Sequence, residues 1–190
     1  ELSKKYHEIL SNLEKNIFKA AGGEFNINSP KQLGEILFDT MRLTVKGLKK
    51  TAGGARSTRE SELAKLKDAH PIVEEILRYR EVQKLLSTYI DNLPGMADEH
   101  GRIHAHFNQA GTTTGRISSS SPNLQNIPTK DGMGTEVRNA FVAPEGSALA
   151  AFDYSQIEIR VLAALSGDKT LAEVFKKGGD VHASVASRVF

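Results

Sequence analysis

The sequence predicts a mixed α+β fold, with a helical first half followed by strands that lead into further helices. Three observations carry this. Apolar residues recur at helical spacing through the first ninety positions, "RIHAHFNQ" (102–109) alternates strictly, and two β-prone runs flank a Pro-Glu-Gly turn before helical periodicity returns. Helices first, then strands meeting a helix, point to a mixed α+β protein with two sub-domains.

Taken in order, Leu2, Tyr6, Ile9, Leu13 and Ile17 mark the first helix, and Gly22-Gly23 closes it. Ser29-Pro30 opens a second helix, with Leu33, Ile36, Leu37 and Met41 on one face. Ser57 and Glu60 have capping-box spacing, which predicts a third helix ending near His70-Pro71. The fourth and longest buries Ile72, Ile76, Tyr79, Val82 and Leu86, and stops before Asp91-Asn92-Leu93-Pro94-Gly95. These four are expected to form a narrow antiparallel bundle.

In the strand at 102–109, Ile103, Ala105 and Phe107 share one face, and His104, His106 and Asn108 the other. The two histidines suit the polar face of a half-buried strand better than a metal pair, since no third ligand clusters with them. "VRNAFVA" (137–143) and "SALAAF" (147–152) read as strands joined by a hairpin at Pro144-Glu145-Gly146. A helix is expected from Ser155 to Leu165, closed by Gly167, with shorter ones from about Thr170 to Lys177 and from Asp180 onward.

At 190 residues, 39% hydrophobic and 25% charged, the composition is that of an ordinary globular protein. No apolar run approaches the ~18 residues of a membrane span. The absence of cysteine excludes disulfides, iron–sulfur clusters and cysteine-ligated zinc within the chain. A start at Glu1 and a stop at Phe190 inside a helical pattern suggest a piece of something longer.

Net charge is only +2, but its distribution is uneven. Between Thr40 and Arg59 lie Arg42, Lys46, Lys49, Lys50, Arg56 and Arg59 with no acid, which fits either a solvated loop or a phosphate-binding arm. "NQAGTTTGRISSSSPNLQNIPT" (108–129) is open to two readings as well. It has the composition of a linker, yet it also offers the hydroxyls and amides of an ordered nucleic-acid-contacting loop.

Two carboxylates stand out. Asp153 ends the second predicted strand, where an unpaired acid would be costly to bury. Glu158 has capping-box spacing from Ser155, so a helix cap is one sufficient reason for it.

"DYSQIEIRVLAALSGD" (153–168) resembles motif A of the family A DNA polymerases, the bacterial DNA polymerase I type. "RSTRESELAKL", "HPIVEEILRYREVQKLLSTYID", "GRIHAHFNQAGTTTGRISSSSPNLQNIP" and "GGDVHASVASRVF" resemble further stretches of that family, in its order and spacing. The first 55 residues fit more loosely, and the basic loop lacks the family's wording.

The resemblance implies a DNA-directed DNA polymerase active in replication and repair, with residues 1–100 as thumb, 101–169 as the first part of the palm and 170–190 as the start of the fingers. It implies two Mg2+ ions, held by Asp153 and the Tyr154 carbonyl together with a second aspartate that this chain lacks. Tyr154, Gln156, Ile157, Glu158 and His182 would then line the deoxynucleoside triphosphate site, with Glu158 beneath the sugar. Arg116 would read the primer-terminal pair in the minor groove, where acceptors common to all pairs report geometry rather than sequence. Ser57, Thr58, Lys84, Asn123, Gln125, Asn126 and Lys130 would contact primer–template DNA.

A monomer in the bacterial cytoplasm, associated with the nucleoid and not with a membrane, is the further implication. Two alternatives stand beside the enzyme: a DNA-binding fragment without chemistry, and a phage-type single-subunit RNA polymerase. Glu158 and the "TGRISSSSPNLQNIP" stretch argue against the latter.

Overall fold

The computed structural model describes residues 1–128 and 133–189. It is an α+β structure that divides into two compact units, Glu1–Phe141 and Val142–Phe190.

In the first unit, α1 (Leu2–Ala21) ends at Gly22 in the left-handed conformation, φ 80°, which glycine adopts without a side-chain penalty. Ser29 caps α2 (Pro30–Gly34) by accepting from the Gln32 amide, with proline at the first helical position. This helix runs on as a π turn, Glu35–Thr40. Next come α3 (Glu60–Leu63), which tightens into a 3-10 turn at Ala64–Leu66, and α4 (Ile72–Leu85), which widens into a π turn at Leu86–Ile90. A short α5 (Leu93–Met96) follows.

Helices α1 and α4 pack along each other. Ser3 and His7, near the start of α1, bond Asp91 just beyond the end of α4, so the pair is antiparallel. Tyr6, Ile17, Ile76 and Leu86 share one continuous apolar core with Leu33, Leu37 and Leu63 from α2, its π turn and α3. Burial and the neighbouring Glu136 carboxylate push the Tyr6 hydroxyl up to about 12.

The sheet is smaller than expected and partly elsewhere. Strand β1 (His106–Asn108) pairs antiparallel with β2 (Ser118–Ser120), registering His106 opposite Ser120 and Asn108 opposite Ser118. Ile103 packs against the core, but Phe107 is exposed, so the predicted apolar face is not buried as one surface. Three serines pair here because a strand needs only backbone donors and acceptors once a turn sets its register. A 3-10 turn, Leu124–Asn126, and α6 (Met133–Asn139) complete the unit.

Four expectations are corrected. "VRNAFVA" is not a strand: its first three residues close α6, where Val137 is buried against the core, and burial outweighs β propensity. "SALAAF" forms no ladder among the described residues and leaves Leu149 and Phe152 exposed, so Asp153 does not end a buried strand. The Ser57–Glu60 capping box does not form. Arg59 takes the N-cap position, while the Ser57 hydroxyl accepts from the Arg59 amide at 3.3 Å. Nor does Ser155 cap the following helix, which begins one residue later than that box requires.

The second unit holds α7 (Ile157–Ser166), α8 (Lys169–Lys176) and α9 (Val181–Val189). Gly167, φ 66°, closes α7, and the Asp168 carboxylate caps α8 by accepting from Thr170 and Leu171 amides. Among the described residues no helix is long and apolar enough to cross a membrane.

Candidate functional site

The candidate residues fall in both units. In the first, the basic stretch is an ordered hairpin: the Thr51 amide donates to Ala55 O at 2.7 Å and the Ser57 amide to Lys49 O at 2.9 Å. Its base is tied to α3 through the buried Glu62, which accepts from the Lys49 amide at 2.9 Å and from Lys65 Nζ at 2.8 Å. The Lys65 bond, then the Lys49 amide, hold the Glu62 carboxyl below its usual range. Lys65 also donates to Gly47 O at 3.0 Å. One buried acid thus anchors a loop of cations.

Between this hairpin and α2 opens a cleft of about 1050 Å³, lined by Lys31, Lys50, Arg56, Arg59 and Arg80 with Ser57 and Thr58. Two acids, Glu35 and Asp39, share it. Arg56 is engaged structurally: its guanidinium lies 5.0 Å over the Phe38 ring and bonds Asp39 at 3.2 Å. Arg80 donates to the Thr58 carbonyl, and burial lowers its pKa, with Glu60 opposing. A partly buried guanidinium with one bond to a carbonyl retains donors for an anion.

Ser57 and Thr58 are themselves buried, so they line the cleft wall rather than project into solvent. Lys84 is exposed one helical turn beyond Arg80 on α4. Sequence reasoning missed Arg80; its spacing of four from Lys84 on one helix was the available signal.

Residues 108–128 are ordered, not a linker. The Tyr89 hydroxyl donates to Asn126 O at 2.6 Å, and Gln125 Nε2 donates to Ile117 O at 2.9 Å. Asn123 Oδ1 accepts from the Gln125 amide at 3.0 Å, and Thr112 bonds the Arg116 carbonyl at 2.7 Å. A Cβ on Gly111 would come within 2.6 Å of Ser118 Oγ, so any side chain there requires the serine hydroxyl to turn aside. Arg116, Asn123, Gln125 and Asn126 are all exposed on this braced loop. Lys130 lies outside the described residues.

In the second unit, Asp153 and Tyr154 are exposed in an irregular segment directly ahead of α7. Gln156 precedes the helix in the left-handed region, φ 53° and ψ 37°, a conformation costing a side-chain-bearing residue about 1–2 kcal/mol. Ile157 and Glu158 sit exposed in the first turn of α7, where the helix dipole favours an acid. His182 belongs to α9, but its side chain lies outside what is described.

Comparison with known proteins gives the class first. A family model described as DNA polymerase family A matches residues 1–190, and the chain belongs to that family. Among particular relatives, it is 52% identical over 190 residues to the thermostable DNA polymerase I of Thermus aquaticus, covering all of this chain and 23% of that protein. It is 46% identical over 190 residues to DNA polymerase I of Treponema pallidum, covering 19% of it. Among solved structures, the POL domain of Pol1 from M. smegmatis, in complex with DNA primer-template and dNTP, matches with TM-score 0.87 and 39% identity. That match covers 98% of this chain and 33% of the other. The chain spans about a fifth of the length of the curated relatives it matches.

Proposed function

We propose that this chain is part of a DNA-directed DNA polymerase, gripping primer–template with its first hundred residues and contributing Asp153 to a two-metal nucleotidyl-transfer site. One observation carries the reading: in a chain that matches family A from end to end, Asp153 and Tyr154 stand exposed immediately before α7. On this reading residues 1–100 are thumb, 101–169 the first part of the palm and 170–190 the start of the fingers.

An exposed carboxylate beside a backbone carbonyl is a hard-oxygen donor set that suits Mg2+. The described residues contain no cluster of three or more His, Asp or Glu able to hold a metal, so Asp153 supplies only part of a shell. Asp153 and the Tyr154 carbonyl would hold the ions, with a second aspartate from elsewhere in the complete protein. When bound, such a pair lowers the barrier by activating the primer hydroxyl and neutralising the triphosphate.

The chain's own residues bind and orient. Lys84, Arg80 and the basic hairpin neutralise phosphates, while Arg116, Asn123, Gln125 and Asn126 face the duplex from the braced loop. Gln156, Ile157 and His182 form one wall of the nucleotide site. Glu158, on the first turn of α7, occupies the place a ribose 2′-hydroxyl would need. The protein acts as a monomer in the bacterial cytoplasm, on nucleoid DNA.

The single carboxylate also favours a second reading for the chain in isolation, which then binds primer–template without extending it. Binding rests on phosphate contacts, so log affinity falls with log salt by about 0.9 per phosphate neutralised. In the complete polymerase, Asp153→Ala abolishes primer extension and leaves duplex affinity within about twofold, since only the metal step is removed. Extension by that variant at a normal rate would sink the assignment. Extension by the isolated chain with magnesium would sink the view that its site is partial.

A further inference from the structure

We propose that Arg160 and Asp180 are positioning residues, bracing the turn that carries Asp153 and Tyr154 against the helices that follow it. This rests on the reading of Asp153 as a metal-binding carboxylate. Apolar burial contributes little to this turn. Phe152 and Tyr154, on either side of Asp153, are 97% and 79% exposed, so apolar burial does not order it within the second unit. Gln156 is left-handed, and α7 begins without a side-chain cap. A strained, unburied turn persists only where its surroundings over-determine it.

Two polar links do so. Arg160 Nε donates to the Ser155 carbonyl at 2.8 Å while its guanidinium lies 4.4 Å over the Phe175 ring of α8. A planar guanidinium can stack with its face and donate from its edge at once, which an ammonium cannot. Gln156 Nε2 donates to Asp180 Oδ2 at 3.2 Å, and Asp180 Oδ1 accepts from the Ala183 amide at 3.0 Å, capping α9. One carboxylate therefore starts α9 with one oxygen and holds the turn with the other. The segment offering metal ligands is fastened to both α8 and α9.

Because these two bonds use different oxygens of Asp180, substitutions can separate them. Asp180→Ser keeps a capping oxygen but is too short to reach Gln156; Asp180→Asn keeps the capping oxygen and can restore the second bond by donating Nδ2 to Gln156 Oε1 once that amide turns over. Arg160→Lys keeps the charge and loses the combined stack and bond. In the complete polymerase bound to primer–template and nucleotide, Mn2+ binding read by electron paramagnetic resonance and the nucleotide KM report on the turn. The melting midpoint reports on the fold.

We expect Asp180→Ser and Arg160→Lys to weaken Mn2+ binding and raise the nucleotide KM by about tenfold, as loss of a ligand-orienting partner does. Asp180→Asn should stay near wild type in both, and the midpoint should move little in all three. Unchanged Mn2+ binding and KM in Asp180→Ser and Arg160→Lys, with or without a lower midpoint, would overturn the brace. Asp153→Ala run alongside separates the two ideas. If it still extends primers and binds Mn2+ normally, the reading of the site falls; if it is inactive while the brace variants match wild type, only the brace falls.

Discussion

The two compact units solve the problem of burial differently. In Glu1–Phe141 a continuous core runs from Tyr6 to Val137, with Ile17, Leu33, Leu37, Leu63 and Ile76 fully enclosed. In Val142–Phe190 the buried hydrophobics among the described residues are Ala163 and Val181, while Leu149, Phe152, Leu162 and Leu165 face outward. Both units are mainly helical, so helix formation is not what separates them. Helices satisfy their own backbone, but stability requires that an apolar face be covered. The first unit covers its faces internally; the second exposes most of its own.

The contrast breaks most sharply when the units are parted. Residues 1–141 alone are expected to unfold in a cooperative thermal transition, whereas residues 142–190 alone give none. Circular dichroism of the two pieces tests this, and a cooperative melt from 142–190 would refute it. A smaller effect comes from single truncations. Ile76→Ala, at a fully enclosed position, should cost about 2–5 kcal/mol. Leu165→Ala, at 83% exposure, should stay within about 0.5 kcal/mol. Denaturant titration of the whole chain measures both, and equal losses would erase the distinction.

The smallest expected effect concerns pH and the anchor of the basic hairpin. Glu62 has a folded pKa below its unfolded value, so it binds fewer protons when folded. Its contribution to stability is complete above the ordinary glutamate value, about 4.3, and is lost as pH falls through the lower folded value. Glu62→Gln should therefore differ from wild type above about pH 5 and converge with it in stronger acid. A difference that grew on acidification would reverse the sign and remove the anchor argument.

What the sequence disclosed follows the same division. Helices α1, α2 and α4 are legible because their signals are local: Gly22 closes α1, Ser29-Pro30 opens α2, and the apolar spacing of α4 matches its buried face, whereas α3 is shorter than its pattern and starts without its expected cap. The strands are not. "VRNAFVA" carries β-prone residues, yet Val137 finds a helical place against the core, while Ser118–Ser120 pairs with almost no β propensity at all. Pairing is decided by a distant partner, and a linear pattern does not contain it. The candidate site divides likewise. Asp153 and Glu158 stand in a contiguous motif, but Arg80 lines its cleft beside residues from the hairpin and α2, and Asp180 meets Gln156 across twenty-four positions. Such meetings exist only after folding.

The bond from the Tyr89 hydroxyl to the Asn126 carbonyl has a mechanical meaning. Tyr89 sits in the π turn at the end of α4, and Asn126 in the loop that also presents Arg116, Asn123 and Gln125. A π turn holds one residue more per turn than the α-helix before it, which sets the angular phase of everything beyond. Rewinding Leu86–Ile90 as ordinary α-helix at unchanged length would turn its end by up to about 100° about the axis and carry Tyr89 away from Asn126, whereas deleting one residue would leave that phase nearly unchanged. The long helix and the loop are thus coupled like a crank and its rod, and the extra residue is the throw of that crank.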